Sequence, residues 1–175
     1  MTAKEFKEWY TDILHDLYEK QAGFPILLIS FPILERYIRQ VSGIGENRLS
    51  DRFFEVLLEM FDELECLENA KEFWQIYRNG LLHQVSFAMK NHKQIEMSPA
   101  CITFDQSESL LLSEGTYSVN PISFSREIIK SVKDDFESMQ ASASPNHPAP
   151  YVFSRPEVNM TGTASDTSWM QNKNV

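Results

Sequence analysis

The chain has few residues of the kinds that build metal centres or disulfide frameworks. Its 175 residues include only two cysteines, Cys66 and Cys101, and four histidines. None of these stand at the spacing of a zinc site or another metal site. We therefore expect reduced thiols, no metal and no cofactor, as in a cytoplasmic protein.

Long apolar runs are also lacking. The most apolar stretch, FPILLISFPIL at residues 24–34, is too short to span a bilayer and contains two prolines. The N-terminal MTAKEFKEWY is charged and amphipathic, without the apolar core of a signal peptide. The sequence thus predicts a cytoplasmic protein with no membrane partner.

Basic charge is scarce as well. Lys and Arg number 16 against 25 Asp and Glu, which gives a formal net charge of −9. Such a balance argues against a protein that coats duplex DNA through a broad basic face. A small local site for an anion remains compatible with it.

Apolar residues at helical spacing are abundant, and 42% of the chain is hydrophobic. Thr2 and Glu5 stand at the spacing of a capping box, and the apolar stripe that follows predicts a helix ending at Gly23. The periodicity predicts three further helices, over residues 25–41 with a kink or restart at Pro32, over 49–64 and over 70–90.

The pattern changes after Pro99. Three short segments, ACITFDQ, SLLLSE and TYSVNPISF, are rich in β-branched and aromatic residues and predict a small hairpin or three-stranded meander. Helical spacing returns over residues 123–139. The predicted fold is therefore mostly α, a bundle of four to five helices with a small β-hairpin or meander before the last helix.

Residues 1–140 form the predicted domain, and residues 141–175 form a tail. This tail is rich in Pro, Ser and Thr, which predicts a disordered or loosely attached segment. Its aromatic residues Tyr151, Phe153 and Trp169 would suit a docking peptide, so one hypothesis is a scaffold recruited through the tail.

The segment IYRNGLLHQ, residues 76–84, places polar side chains inside an apolar helical stretch. His83 is of the type that transfers protons near neutral pH, and Arg78 is of the type that holds phosphate bidentately. Together they suit cleavage of RNA by its own 2′-hydroxyl, which needs a proton shuttle and charge stabilisation but no metal. Asn79 completes the set of candidate site residues.

Helical geometry limits how one copy of this segment could act. Residues five apart on a straight α-helix differ by about 140° around the axis, so Arg78 and His83 diverge. Asn79 and His83, four apart, share a face, and Gly80 allows another backbone or a phosphate to approach. The site therefore makes most sense as one half of a cleft that a second copy completes.

The charge around the segment is locally reversed. Residues 71–93 contain Lys71, Arg78, Lys90 and Lys93 against Glu72, that is four positive charges minus one negative, or +3. This local excess is screened beyond about 10 Å at 0.1 M salt. It favours an anionic ligand close to the motif only.

Simpler interpretations stand beside the catalytic one. A lone helical histidine is more often a hydrogen-bonded boundary residue, a lone arginine is usually a surface charge, and Gly80 could serve packing alone. The alternative to an enzyme is a non-catalytic helical module that dimerises or binds a ligand and keeps the motif for structure.

The segment FWQIYRNGLLHQ resembles the signature of the HEPN superfamily, an Arg, then a polar residue that is often Asn, then a His four to six residues after the Arg. Arg78, Asn79 and His83 occupy those places. The apolar helix containing LLISFPILERYIRQ and the strands before a last helix agree with bacterial HEPN-like proteins. The resemblance covers residues 1 to about 140.

The resemblance implies a helical bundle that forms a homodimer through the helix carrying Arg78 and His83. It also implies a metal-independent endoribonuclease of a toxin–antitoxin or phage-defence system, with RNA and an antitoxin as partners. His83 would then be the general acid and base, Arg78 the phosphate ligand and Asn79 the orienting residue. HEPN toxins paired with a minimal nucleotidyltransferase have a Tyr two residues after the His, where this chain has Val85, which argues against that subgroup.

Overall fold

The computed structural model describes residues 2–44, 49–81, 86–87, 90 and 95–135. In these ranges the chain forms five helical stretches, α1 to α5, and a three-stranded sheet that precedes the last helix. This architecture confirms the predicted mostly α fold class. The predicted tail, residues 141–175, lies outside the described residues.

Helix α1 consists of Ala3–Phe6, a π-helical turn at Lys7–Thr11, and Asp12–Glu19. The predicted capping box is present, because the Glu5 backbone N–H donates to the Thr2 hydroxyl at 3.2 Å and the Thr2 N–H donates to the Glu5 carboxylate at 2.7 Å. The predicted end at Gly23 is wrong, because α1 ends at Glu19 and Gly23 begins the next helix.

Close packing explains this position of Gly23. A Cβ added there would lie 3.1 Å from Ile102 and 3.2 Å from Phe104, two residues at the end of the first strand and just beyond it. The glycine therefore lets the start of the second helix approach the sheet, a role that local sequence does not reveal.

Helix α2, Gly23–Ser42, is the apolar helix at the centre of the bundle, with eight buried residues. It packs most extensively on helix α5, Pro121–Asp134. The helix continues through Pro32, so the predicted restart does not occur. Proline has no backbone N–H group, so one carbonyl group in the preceding turn of the helix has no intrahelical donor. Pro32 is exposed, and water can donate to that carbonyl group.

The third predicted helix is shorter than expected. Helix α3 spans Asp51–Met60, and a separate 3₁₀ turn covers Asp62–Leu64. The break occurs at Phe61, whose φ of −136° and ψ of 83° are not helical. Its ring is buried and stacks on Phe124 of α5 at 5.0 Å, so packing against another helix stabilises the interruption.

Helix α4 begins at Leu67, three residues before the predicted start, and contains Leu67–Trp74 followed by a π-helical turn at Gln75–Asn79. The helical backbone continues through Gly80 and Leu81. Most of the rest of the predicted helix, including residues 82–85, lies outside the described residues.

The strands are β1 (Ala100–Ile102), β2 (Leu110–Ser113) and β3 (Thr116–Val119), in the order β1-β3-β2. Strands β2 and β3 form the predicted hairpin, while β1 pairs parallel to β3 and does not continue a meander. Glu114 and Gly115 turn the hairpin with φ of 50° and 72°, as a two-residue type I′ loop requires.

Asn120 caps helix α5, since its side-chain oxygen accepts from the backbone N–H groups of Ile122 at 3.0 Å and Ser123 at 3.3 Å. The core between α2, α4 and α5 is aromatic. Phe31 of α2 contacts the rings of Phe73, Trp74, Tyr77 and Phe124. Over the described ranges, the helices are too short or too polar to cross a membrane.

Candidate functional site

Arg78 and Asn79 lie in the π-helical turn of helix α4, and two tyrosines fix this helix to the sheet. The buried Tyr77 hydroxyl lies 2.8 Å from the Cys101 carbonyl oxygen and 3.0 Å from that of Tyr117, and it donates to this pair. The Tyr117 hydroxyl lies 3.1 Å from the Glu72 carboxylate and donates to it. Burial is the main cause that raises the pKa of Tyr77, so its hydroxyl stays protonated and serves as a donor.

Arg78 forms an ion pair with an acid on another helix. Its Nε and Nη2 atoms donate to Oε2 of Glu35, on α2, at 2.9 Å and 2.7 Å. The side chain of Arg78 is 23% exposed and that of Glu35 is 16% exposed. The guanidinium group is thus held along one edge by a half-buried carboxylate from another helix.

The same carboxylate binds a second arginine. Oε1 of Glu35 accepts from Arg39 Nε at 3.1 Å and Nη2 at 2.9 Å, one turn further along α2. Glu35 therefore bridges two guanidinium groups, one on each oxygen, and we call these three residues the Arg–Glu–Arg cluster. Two positive charges against one negative leave the cluster with a formal charge of +1.

Asn79 lies beside Arg78 and contacts it. The Asn79 side-chain oxygen accepts from Arg78 Nη1 at 3.2 Å, so the structure brings two of the three predicted site residues together. His83, the third, lies outside the described residues. Its predicted role as general acid and base stays a prediction.

The helix that carries the motif is not a regular α-helix. Gln75–Asn79 forms a π-helical turn, in which backbone hydrogen bonds run to the fifth residue and not to the fourth. The prediction that Arg78 and His83 diverge by about 140° assumed 3.6 residues per turn, and this assumption fails for the segment containing Arg78 and Asn79. Such π-turns occur frequently at functional sites.

The predicted local excess of positive charge is partly compensated by acids from elsewhere in the chain. Lys71 Nζ lies 2.7 Å from an Asp51 oxygen of α3, and the hydrogen bond to Asp51 is the main cause that raises the pKa of Lys71. Arg78 pairs with Glu35. A charge sum over residues 71–93 cannot include these partners, because they belong to other helices.

The ligand types for a metal centre do not converge in the described part of the chain. No group of three or more His, Cys, Asp or Glu side chains could hold a metal ion there. Glu35, which contacts Arg78, already accepts hydrogen bonds from two arginines. The cluster can hold a guanidinium group in a fixed orientation beside an amide, an arrangement that suits recognition of an anion such as phosphate.

Sequence reasoning did not include Glu35 or Arg39 in the site. A signal for them exists, since Glu35 is the first charged residue after an apolar run of a helix expected to be central. A carboxylate at the end of such a run needs a cationic partner because burial of an unpaired charge is costly. The sequence does not reveal which of the available cations supplies it.

Comparison of the chain with protein-family models, with curated proteins and with solved structures found no match.

Proposed function

We propose that the protein is a HEPN-like, metal-independent endoribonuclease that acts as a homodimer, with Arg78, Asn79 and His83 as its site residues. The single observation that carries the proposal is the position of Arg78. Its guanidinium group contacts the Asn79 side chain at 3.2 Å, and the residue belongs to a π-helical turn. The Arg–Glu–Arg cluster that holds it has a formal charge of +1, whereas the net charge of the chain is −9.

The mechanism uses the nucleophile within the substrate. His83 takes the proton of an RNA 2′-hydroxyl, whose oxygen attacks the adjacent phosphorus. The bond from phosphorus to the 5′-oxygen breaks, and the protonated His83 gives its proton to that oxygen. Arg78 binds the phosphoryl oxygens as negative charge develops, and Asn79 orients the group. The products are a 2′,3′-cyclic phosphate and a 5′-hydroxyl.

Cleavage of a single-stranded RNA oligonucleotide by the full-length chain in EDTA tests this proposal. We expect the wild type to cut the RNA and to leave intact the same sequence with 2′-O-methyl groups, because it lacks the nucleophile. His83→Ala and Arg78→Ala should abolish cleavage, and His15→Ala, at an exposed histidine of α1, should retain it. An inactive wild type, or cleavage that survives His83→Ala in a folded protein, would refute the proposal.

A second candidate function is a non-catalytic helical module that dimerises or binds a ligand. The ion pair between Arg78 and Glu35 favours it, because it gives the motif arginine a structural role without any substrate. In that case His83→Ala and Arg78→Ala lower the melting temperature or the dimer fraction in sedimentation experiments, and the wild type cuts no RNA.

A further inference from the structure

Glu35 determines which part of the Arg78 guanidinium group can meet another molecule. Its Oε2 atom accepts from Nε and from Nη2 of Arg78, so the edge formed by these two nitrogens faces α2. Because the guanidinium group is planar, fixing one edge also fixes the direction of Nη1. Nη1 is the nitrogen that contacts Asn79.

Arg39 fixes Glu35 in turn. It holds Oε1 with two donors at 2.9 Å and 3.1 Å, and its own side chain is only 13% exposed. The carboxylate therefore cannot rotate freely towards solvent without losing contacts on both sides. Helix α2, which carries both residues, is the long central helix of the bundle and provides a rigid base.

The three residues of the cluster differ from a simple ion pair in their formal charge. A simple Arg–Glu pair would cancel the charge of Arg78, whereas one carboxylate shared by two arginines leaves the cluster at +1. Glu35 thus orients Arg78 while it also pairs with Arg39.

We propose that Glu35 is a positioning residue that holds Arg78 in the orientation needed to stabilise the phosphoryl group during RNA cleavage. This inference rests on the function proposed above. Glu35 itself makes no contact with the RNA and transfers no proton. Its contribution is to order a long, flexible side chain before the substrate binds, since small displacements of a catalytic group cost large factors in rate.

The Glu35→Gln variant tests this role in steady-state cleavage of a fluorogenic RNA oligonucleotide in EDTA. Loss of the negative charge weakens the contacts between residue 35 and Arg78, and we expect kcat to fall by roughly ten- to a hundredfold. KM should stay within about threefold of the wild type, because phosphates outside the reacting centre supply most of the affinity for RNA. The pH–rate profile should keep its inflections, since Glu35 is not the acid or the base.

The double variant Glu35→Gln/Arg39→Gln separates positioning from stability. Glu35→Gln leaves two arginines close together, and removal of the Arg39 charge relieves their repulsion. We expect the melting temperature to recover towards that of the wild type while kcat stays low, because Arg78 still lacks its contacts to the Glu35 carboxylate. If kcat recovers together with the melting temperature, Glu35 is only structural and the proposal is wrong. The double variant also decides the question if the single one does not fold.

Glu55→Gln is the matched control, because Glu55 pairs with Arg52 on the exposed face of α3 at 3.2 Å. It should keep the kcat of the wild type. If the wild type cuts RNA, Arg78→Ala does not, and Glu35→Gln has the kcat of the wild type, the role of Glu35 is wrong. The proposed function is then unaffected. A wild type that cuts no RNA would overturn the proposed function, and this inference with it.

Discussion

Removal of the Glu35 carboxylate is expected to destabilise the fold strongly. In Glu35→Ala two guanidinium groups lose their common acceptor, and four donor–acceptor contacts of 2.7–3.1 Å disappear. Breaking a buried ion pair by removing one partner costs about 3–5 kcal/mol, because the other charge stays buried and unpaired. Here two arginines lose the carboxylate that they share.

Partial exposure reduces this cost. The side chains of Arg78, Glu35 and Arg39 are 23%, 16% and 13% exposed, so water can solvate the released arginines in part. We therefore expect a loss of about 3 kcal/mol in the free energy of unfolding, at the low end of the range for buried pairs. For a domain of this size the melting temperature should fall by roughly 10 °C.

Urea unfolding followed by tryptophan fluorescence measures this loss, since Trp74 is buried in the core. Glu55→Ala, which removes one half of an exposed pair, should leave the unfolding curve unchanged. Replacement of all three cluster residues, as Glu35→Met/Arg39→Leu/Arg78→Leu, should restore most of the stability, because both arginines are removed together with the carboxylate that they share. A Glu35→Ala protein as stable as the wild type would refute the reasoning.

Two further predictions concern the tyrosines and the hairpin. Burial is the main cause that raises the pKa values of Tyr37, Tyr77 and Tyr117 above the ordinary value of 10.0, so these groups bind protons more tightly in the folded than in the unfolded chain. Their contribution to stability is constant below about pH 10 and is lost as the pH rises further. The tyrosinate absorbance of these three residues should therefore appear together with unfolding. Titration of the three in a folded protein would contradict their burial. Glu114→Asn should raise the free energy of unfolding by about 0.5 kcal/mol, because Asn before Gly115 suits the positive φ of the type I′ loop. A decrease in this free energy, measured by urea unfolding, would count against that turn type.

Features set by neighbouring residues could be predicted from the sequence. Helical spacing identified the helices, and the Thr2–Glu5 capping box located the start of the first one, because both depend on contacts within one or two turns. The hairpin was predicted for the same reason, since a short turn fixes its two strands. The prediction failed at Gly23 and Phe61, whose conformations depend on packing against other elements.

In the candidate site, too, local features could be predicted from the sequence and contacts between distant residues could not. Arg78 and Asn79 were identified from their type and spacing in one segment, and the structure places them in contact. The acid that pairs with Arg78 was missed because Glu35 lies 43 positions from Arg78 in the chain. The π-turn at Gln75–Asn79 was missed as well, since apolar spacing alone predicts a regular helix there.

The sequence by itself thus determined a mostly helical chain with a small sheet before its last helix, and a segment with the residue types for phosphate chemistry. Only the tertiary structure decided that β1 lies parallel to β3 and that Glu35 holds Arg78 and Arg39 together. The physical reason is that helix and turn preferences act over a few residues. The burial of a charge, by contrast, is compensated by whichever partner the folded chain brings within hydrogen-bonding distance.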